Sequence, residues 1–309
     1  MPSDNSSPLF SIVIPCYNRP ELLHRALLSC TSQTYTNFET IVVDDGSTES
    51  LHDAIDSIDD SRIKLHRQKN AGGSAARNTG ISLARGMWIC LLDADDYFYP
   101  EKLEKLDSVI KSQHADLIFS RASIDRGLSS VWPTPQLVLK DNDELTEFMF
   151  SKYQVIPTST FVIKSSVARE IRFDESLAIG EDIDYIVRIA GKGKKLLMIP
   201  DVLSVYDDSG GIERTSRKNN GAILDLWLEE NRCYFSAKGY YGFRASYLSK
   251  HLADKQPLQT LKDLYLGYSK GGLSISMVLR RALRAYFPRV YESVVAAFLY
   301  SNSKLAPKK

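Results

Sequence analysis

The stretch "ICLLDADDYFYPEKL", Ile89 to Leu103, decides how the rest of the chain is read. Apolar residues run without alternation into three acids, Asp93, Asp95 and Asp96. An unbroken apolar run implies a strand buried on both faces, as in a parallel sheet. A carboxylate at the end of such a strand must be compensated, because burying it unpaired is costly. A metal ion is one compensator; a helix N-terminus or water is another. Along an extended segment residues two apart share a side. Asp93 and Asp95 are therefore expected to converge, while Asp96 points away and caps the helix predicted over "PEKLEKLDSVIKSQ".

The same arrangement recurs along the first two thirds of the chain. "FSIVIPCYN", "FETIVVDDGST", "RIKLHRQ" and "ADLIFSRA" read as further strands. Between them, "PELLHRALLSCTSQ", "LHDAIDSI" and "AGGSAARNTGISLARG" carry helical spacing, the last ending at Gly86. This alternation predicts an α/β fold: a Rossmann-like, mostly parallel sheet with helices on both faces. Such sheets bind ligands at the carboxyl ends of their strands. The polar clusters fall there: Tyr17-Asn18, Asp44-Asp45-Gly46-Ser47 and Asp93 to Asp96. Ser47 or Thr48 suits an N-cap, which leaves two preceding acids unexplained.

Beyond Leu128 the pattern loosens. "VWPTPQLVLK" and "STFVIK" read as short strands around a helical "DNDELTEFMFSK". "AIGEDIDYIVRIAGKGKK" is a helix opened by Gly180 and closed near Gly191, and "LLMIP" and "VLSVY" are two short strands. After the polar "DDSGGIERTSRKN", helices are predicted over about 222–237, 243–252, 258–268, 273–286 and 289–300. The expected domains are 1–210 and a basic helical extension, 211–309.

The net charge of +1 hides an asymmetry. Residues 210–309 hold 17 Lys and Arg against 7 Asp and Glu, a net of +10; residues 1–209 hold 22 against 31, a net of −9. In "LSISMVLRRALRAYFPRVYESVVAAFLY", Arg280, Arg281 and Arg284 lie near Leu279, Leu283 and Phe287. A helix lying on anionic lipid has this composition, and so does a bundle helix with its arginines in water. No aromatic-interleaved basic motif points to nucleic acid. The four scattered cysteines are expected to be buried thiols in a reducing compartment. "MPSDNSSPLF" lacks the pattern of a signal peptide, and no run reaches the ~20 apolar residues of a membrane span. A cytoplasmic location, peripheral to the inner membrane face if the basic end binds lipid, is expected.

Taken in order, "SIVIPCYNRPELLHRALLSCTSQTYTNFETIVVDDGSTES", "NAGGSAARNTGISLARGMWICLLDADDYFYPEKL" and "GEDIDYIVRIA" resemble the family 2 glycosyltransferases of bacterial polysaccharide biosynthesis, over about residues 9–206. The resemblance implies a GT-A fold and an inverting, metal-dependent transfer of a sugar from a nucleotide diphosphate, most simply UDP, to an acceptor hydroxyl. The acceptor it implies is a saccharide, lipid-linked in some relatives. It implies Mg2+ or Mn2+ on Asp95 with Asp93 near the ribose or metal. Donor contacts are implied along Pro15, Tyr17 and Asn18, at Asp44 or Asp45, at Arg77 and Asn78, and at Asp93 and Ala94. A carboxylate can accept a uracil N–H, and Asp45 is the choice within its pair. Tyr17 either packs on the base or is an ordinary strand-end aromatic. Arg77 either contacts the donor or is a surface-helix arginine. The catalytic base is implied at Asp182, with Glu181 second; Asp184 better fits an acid favoured in a helix's first turn. In one departure, "SVYDDSGGIERTSRK" holds no histidine where many relatives carry one, so its closing over the donor is not implied. Two other classes remain: a nucleotidyltransferase, whose basic glycine-rich loop is absent, and a non-catalytic nucleotide-sugar-binding subunit, at odds with intact Asp95 and Asp182.

Overall fold

The computed structural model describes residues 7–127, 132–209 and 221–305. Packing divides the chain into two compact units. The first runs to Asp125 and takes in Pro133–Val138 and Ile156–Asp208. The second comprises Arg126–Trp132, Leu139–Val155 and Ser209–Lys309, so it draws in segments well upstream of residue 210.

In the first unit, the unbroken apolar runs form the strands they predict. β1 (Phe10–Cys16), β2 (Phe38–Asp44), β3 (Ile63–Arg67) and β4 (Trp88–Leu91) pair in parallel in the order β3-β2-β1-β4. The intervening helices are α1 (Pro20–Thr31), α2 (His52–Asp56) and α3 (Gly73–Leu83). Pro20 begins α1, where a missing N–H costs nothing. α3 ends at Leu83 rather than Gly86, because Ala84 is already extended. It presses closely on β1: a Cβ on Gly80 would lie 2.3 Å from Val13 Cγ1.

The rest of the unit departs from a parallel sheet. β5 (Tyr97–Phe98), α4 (Lys102–Ser112), β6 (Leu117–Asp125), β7 (Trp132–Thr134), β8 (Val162–Lys164), α5 (Ser165–Glu170), α6 (Glu181–Gly191) and β9 (Leu196–Asp207) follow. The sheet continues β4-β8-β6-β9-β5, with β8 antiparallel to β4 and β6, and β5 antiparallel to β9. The sheet is therefore mixed, with its parallel half where the alternating sequence lies. The two short strands expected over "LLMIP" and "VLSVY" are one strand, β9, joined through a register shift opposite Ser120 and Arg121. α5 had no expectation attached to it. The core packs Phe10, Ile12 and Ile14 of β1 with Leu23 and Leu27 of α1 and Leu103 and Leu106 of α4.

The second unit is helical. α7 (Gly221–Glu230) stops seven residues before the expected 237; α8 (Ala237–Phe243) starts there, with the Ser236 hydroxyl accepting from Gly239 N. α8 runs through a π turn (Arg244–Leu248) into α9 (Ser249–Leu252), followed by α10 (Pro257–Ser269), α11 (Ile275–Tyr286) and α12 (Pro288–Leu305). The expected "DNDELTEFMFSK" helix is a short π turn, Glu147–Ser151, whose Phe150 meets Phe235 and Phe243. No described helix is long and apolar enough to cross a membrane.

Candidate active site

The parallel strands end on one edge. Register pairs Cys16 with Asp44, so β1 and β2 finish level, while β4 leaves the sheet at Leu91, opposite Val13. Asn18 stitches the first two ends: its N–H donates to Ser47 Oγ (2.9 Å) and its side-chain oxygen accepts from Thr48 N (2.7 Å). Ser47 and Thr48 are thus ties to Asn18 rather than helix caps, since α2 begins only at His52. Asn18 takes a left-handed φ of 52°, which asparagine tolerates. Pro15 lies within β1 opposite Val43, and Tyr17 is exposed beyond the strand's end.

Both acids of the second cluster are buried and engaged. Asp44 accepts from Ser47 N and from Arg67. Asp45 accepts from Gln68 Nε2 (2.8 Å), Ala71 N (2.9 Å) and Gly72 N (2.8 Å), which fixes the loop entering α3. A carboxylate has about four lone-pair sites, so Asp45 has one left for a ligand.

The segment after β4 is a turn, with Asp96 N donating to Asp93 O, so strand alternation does not govern its acids. Asp93 accepts from Arg77 at 2.6 Å, and Asp95 from Arg19 at 2.9 Å. Arg25 donates to the Asp95 carbonyl and pairs with Asp207 at 2.7 Å. Ala94, between the two acids, is buried. Asp96 corrects the expected cap: it is buried and accepts from Ser159 Oγ and Asp207 N, while α4 begins only at Lys102. Burial, with Asp93 and Asp95 nearby, holds the Asp96 carboxyl well above the usual carboxylate range. Ser159 also accepts from Asp93 N, and its carbonyl accepts from the fully buried Lys102. Burial brings the Lys102 amine down to about 7.

Arg77 is buried, not a surface arginine. One guanidinium nitrogen holds Asp93; the other reaches Glu181 at 3.2 Å, 104 residues away in sequence. Burial alone would lower its pKa; Asp93 and Glu181 outweigh that and raise it. Glu181 and Asp182 open α6 after Gly180, whose φ of 77° turns the chain into the helix. Burial, and then the neighbouring Glu181 charge, push Asp182 up to about 7. Asp184 is buried against Arg188 one turn on and is structural.

The sequence model of Glycosyl transferase family 2 matches residues 11–172. The amylovoran biosynthesis glycosyltransferase AmsB of Erwinia amylovora is 31% identical over 249 residues, 76% of this chain and 82% of that protein. The chain belongs to glycosyltransferase family 2. The succinoglycan biosynthesis protein ExoO of Rhizobium meliloti is 28% identical over 235 residues, 70% of this chain and 66% of that protein. Among solved structures, S. aureus TarS 1-349 in complex with UDP-GlcNAc aligns with a TM-score of 0.60 at 18% identity, over 90% of this chain and 74% of that one. The mannosyltransferase PcManGT from Pyrobaculum calidifontis, in complex with GDP-Man and Mn2+, aligns at 0.53 and 16% identity, over 99% and 84%. The fold is GT-A with a C-terminal helical part, and the chain is a glycosyltransferase enzyme.

In this glycosyltransferase Asn78 is buried, and its amide bonds Phe173 N, Phe173 O and Glu175. Its amide is therefore committed to that loop. Arg19, Arg25, Ser159 and Lys102 are the groups sequence reasoning missed; α1 and α4 read as ordinary amphipathic helices. Cys16, Cys30 and Cys90 are buried thiols pushed up to about 12 by burial, but Cys233 is exposed, against expectation. The departure at 207–218 lies mostly outside the described residues; within them, Asp207 is held by Arg25.

Proposed function

We propose that this enzyme moves a sugar, with inversion, from a UDP-linked donor to an acceptor hydroxyl in polysaccharide biosynthesis, with Mg2+ or Mn2+ at the donor diphosphate. The observation that carries the reading is the buried Arg77 guanidinium, which joins the Asp93 turn to the start of α6. It ties Asp93, the proposed donor-side acid, to Glu181, the neighbour of the proposed base. The names of AmsB and ExoO support a polysaccharide acceptor, and the UDP-GlcNAc complex of TarS supports a UDP donor. A lipid-linked acceptor would set the enzyme at the inner face of the cytoplasmic membrane.

Among the described residues no group of three or more His, Cys, Asp or Glu forms a metal cluster. Two carboxylates completed by phosphate oxygens are the ordinary Mg2+ set, and Asp93 lends only one oxygen to Arg77. Asp93 and Asp95 fit that set. When bound, the ion neutralises charge on the departing diphosphate. Asp182 takes the acceptor hydroxyl's proton as that oxygen bonds to the anomeric carbon, and the nucleoside diphosphate leaves with its electron pair. A base whose pKa lies near 7 suits work at neutral pH. Asp45 shapes the nucleotide end by fixing Ala71 and Gly72, and offers its remaining lone pair to the uracil N–H. Tyr17 lies exposed at the same edge, where its ring can pack on the base.

Calorimetry of UDP with Mn2+ tests the donor side. Asp95→Ala is expected to lose the metal-linked part of UDP affinity. Equal metal-linked affinity in variant and wild type would remove the metal from this reading.

A further inference from the structure

α10 and α11 both bury their inner faces on the helix formed by α8, the π turn and α9, around Ala245, Leu264 and Leu273. They form a hairpin: a short link joins them at one end, and Tyr286 Oη donates to Pro257 O (2.6 Å) at the other. Their outer faces consequently look away from that shared support. On α10 the outer face is Leu258 (80% exposed), Leu261 (52%), Tyr265 (66%) and Tyr268, at spacings of three, four and three. This is one helical stripe, and it is apolar where a surface helix ordinarily carries polar residues. On α11 the exposed apolar residues are Ile275 and Leu279, with Phe287 just beyond its end. The Tyr286 bond ties the end of α11 to the start of α10.

The charge around the stripe is predominantly positive, although Asp254 just before α10 is exposed. From Lys255 to Arg289 there are seven Lys or Arg and one acid, Asp263. Asp263 is buried on Arg244, so it does not face outward. Arg281 also leaves the surface, against the sequence expectation: it is buried with its guanidinium 3.7 Å from the centre of the Tyr153 ring. Lys262, Lys270 and Arg280 stay exposed beside the stripe. An apolar stripe edged by cations matches an anionic bilayer, which takes leucine and tyrosine side chains into its interface and draws lysine and arginine to its headgroups.

We infer that the outer face of the α10–α11 hairpin docks on an anionic lipid bilayer, inserting Leu258, Leu261 and Tyr265 beneath the headgroups without spanning the membrane. This names the surface for the membrane location proposed above, but it rests on the second unit alone and stands without the donor chemistry. The full-length protein is floated with phosphatidylcholine vesicles of graded phosphatidylglycerol content. No sugar donor or acceptor is needed, so failure of the glycosyl-transfer reading cannot be mistaken for failure here. Wild type is expected to float in proportion to phosphatidylglycerol, and added salt to reduce flotation only in part, since apolar insertion survives screening. The double variant Leu258→Glu/Leu261→Glu is expected to float at least about tenfold less with an unchanged melting temperature, because both positions are exposed. Lys262→Gln/Arg280→Gln is expected to lose mainly the salt-sensitive part. Wild type remaining unbound at every lipid composition at low salt overturns the inference. So does a double variant that floats like wild type, or one that dissociates an oligomer in sedimentation while wild type ignores lipid, which would make the face a protein interface.

Discussion

Arg77 in the first unit and Arg244 in the second are both buried, and carboxylates hold both charged against the effect of burial. Their surroundings differ. Arg244 forks onto Asp263 through two nitrogens (2.8 and 3.2 Å), and its third reaches Asp225 and Glu229. The Asp263 side chain is 1% exposed, while Asp225 and Glu229 at the rim are 28% and 52% exposed, so every guanidinium nitrogen is engaged around one buried acid. Arg77 leaves its Nε without a hydrogen-bond partner, and its carboxylates, Asp93 and Glu181, are 26% and 24% exposed. An arginine fully engaged around one buried acid specifies packing; one with a nitrogen unpartnered and an acid beside the ends of parallel strands leaves capacity for a ligand.

The first way to break this contrast lies beside Arg77. Asp182→Asn is expected to keep fold and donor binding but lose about 10²–10⁴ in transfer rate, the scale of a positioned general base. Near-normal transfer to a verified acceptor would move the base to Glu181. Next, Arg244→Ala is expected to cost about 3–5 kcal/mol in denaturant unfolding, because it strands Asp263 as a buried charge. Arg77→Ala should cost on the order of 1–2 kcal/mol, since water can reach its partners, yet slow transfer at least about tenfold. The contrast collapses if Arg77→Ala proves the less stable and the more active of the two. The smallest effect is a pH limb. Asp182 must be ionised to accept a proton, so kcat/KM is expected to fall about tenfold per pH unit below its pKa of about 7 and to level off above it. Its raised pKa also adds stability at low pH that is lost as pH rises through about 7. A flat profile from pH 5 to 8 in wild type, at about constant fold, would remove Asp182 from the proton transfer.

The parallel half of the sheet was legible because local signals agree there: unbroken apolar runs, helical spacing between them, and polar residues at strand ends. The acids after β4 were legible as a cluster but not in their directions. Alternation was the wrong rule for a turn, and the partner that buries Asp96 is Ser159, 63 residues later. Lys102 reads as a surface lysine in "PEKLEKL", yet it ends against Ser159 and Ser204, on segments no local pattern links to it. The mixed half of the sheet was hidden for the same reason, since β8 is three residues long and its antiparallel pairing is set by distant neighbours. Arg281 looked like its neighbours in sequence; only packing against Tyr153 separates it from Arg280.

The contact between Gly80 and Val13 limits how this chain can drift. Any larger residue at 80 meets Val13 Cγ1, so a lineage that changes Gly80 must first shrink residue 13. The reverse order passes through a strained ancestor in which α3 is pushed off β1, and Arg77, one turn earlier on that helix, moves with it. Positions 13 and 80 should therefore vary as a pair across descendants, with the strand residue changing first.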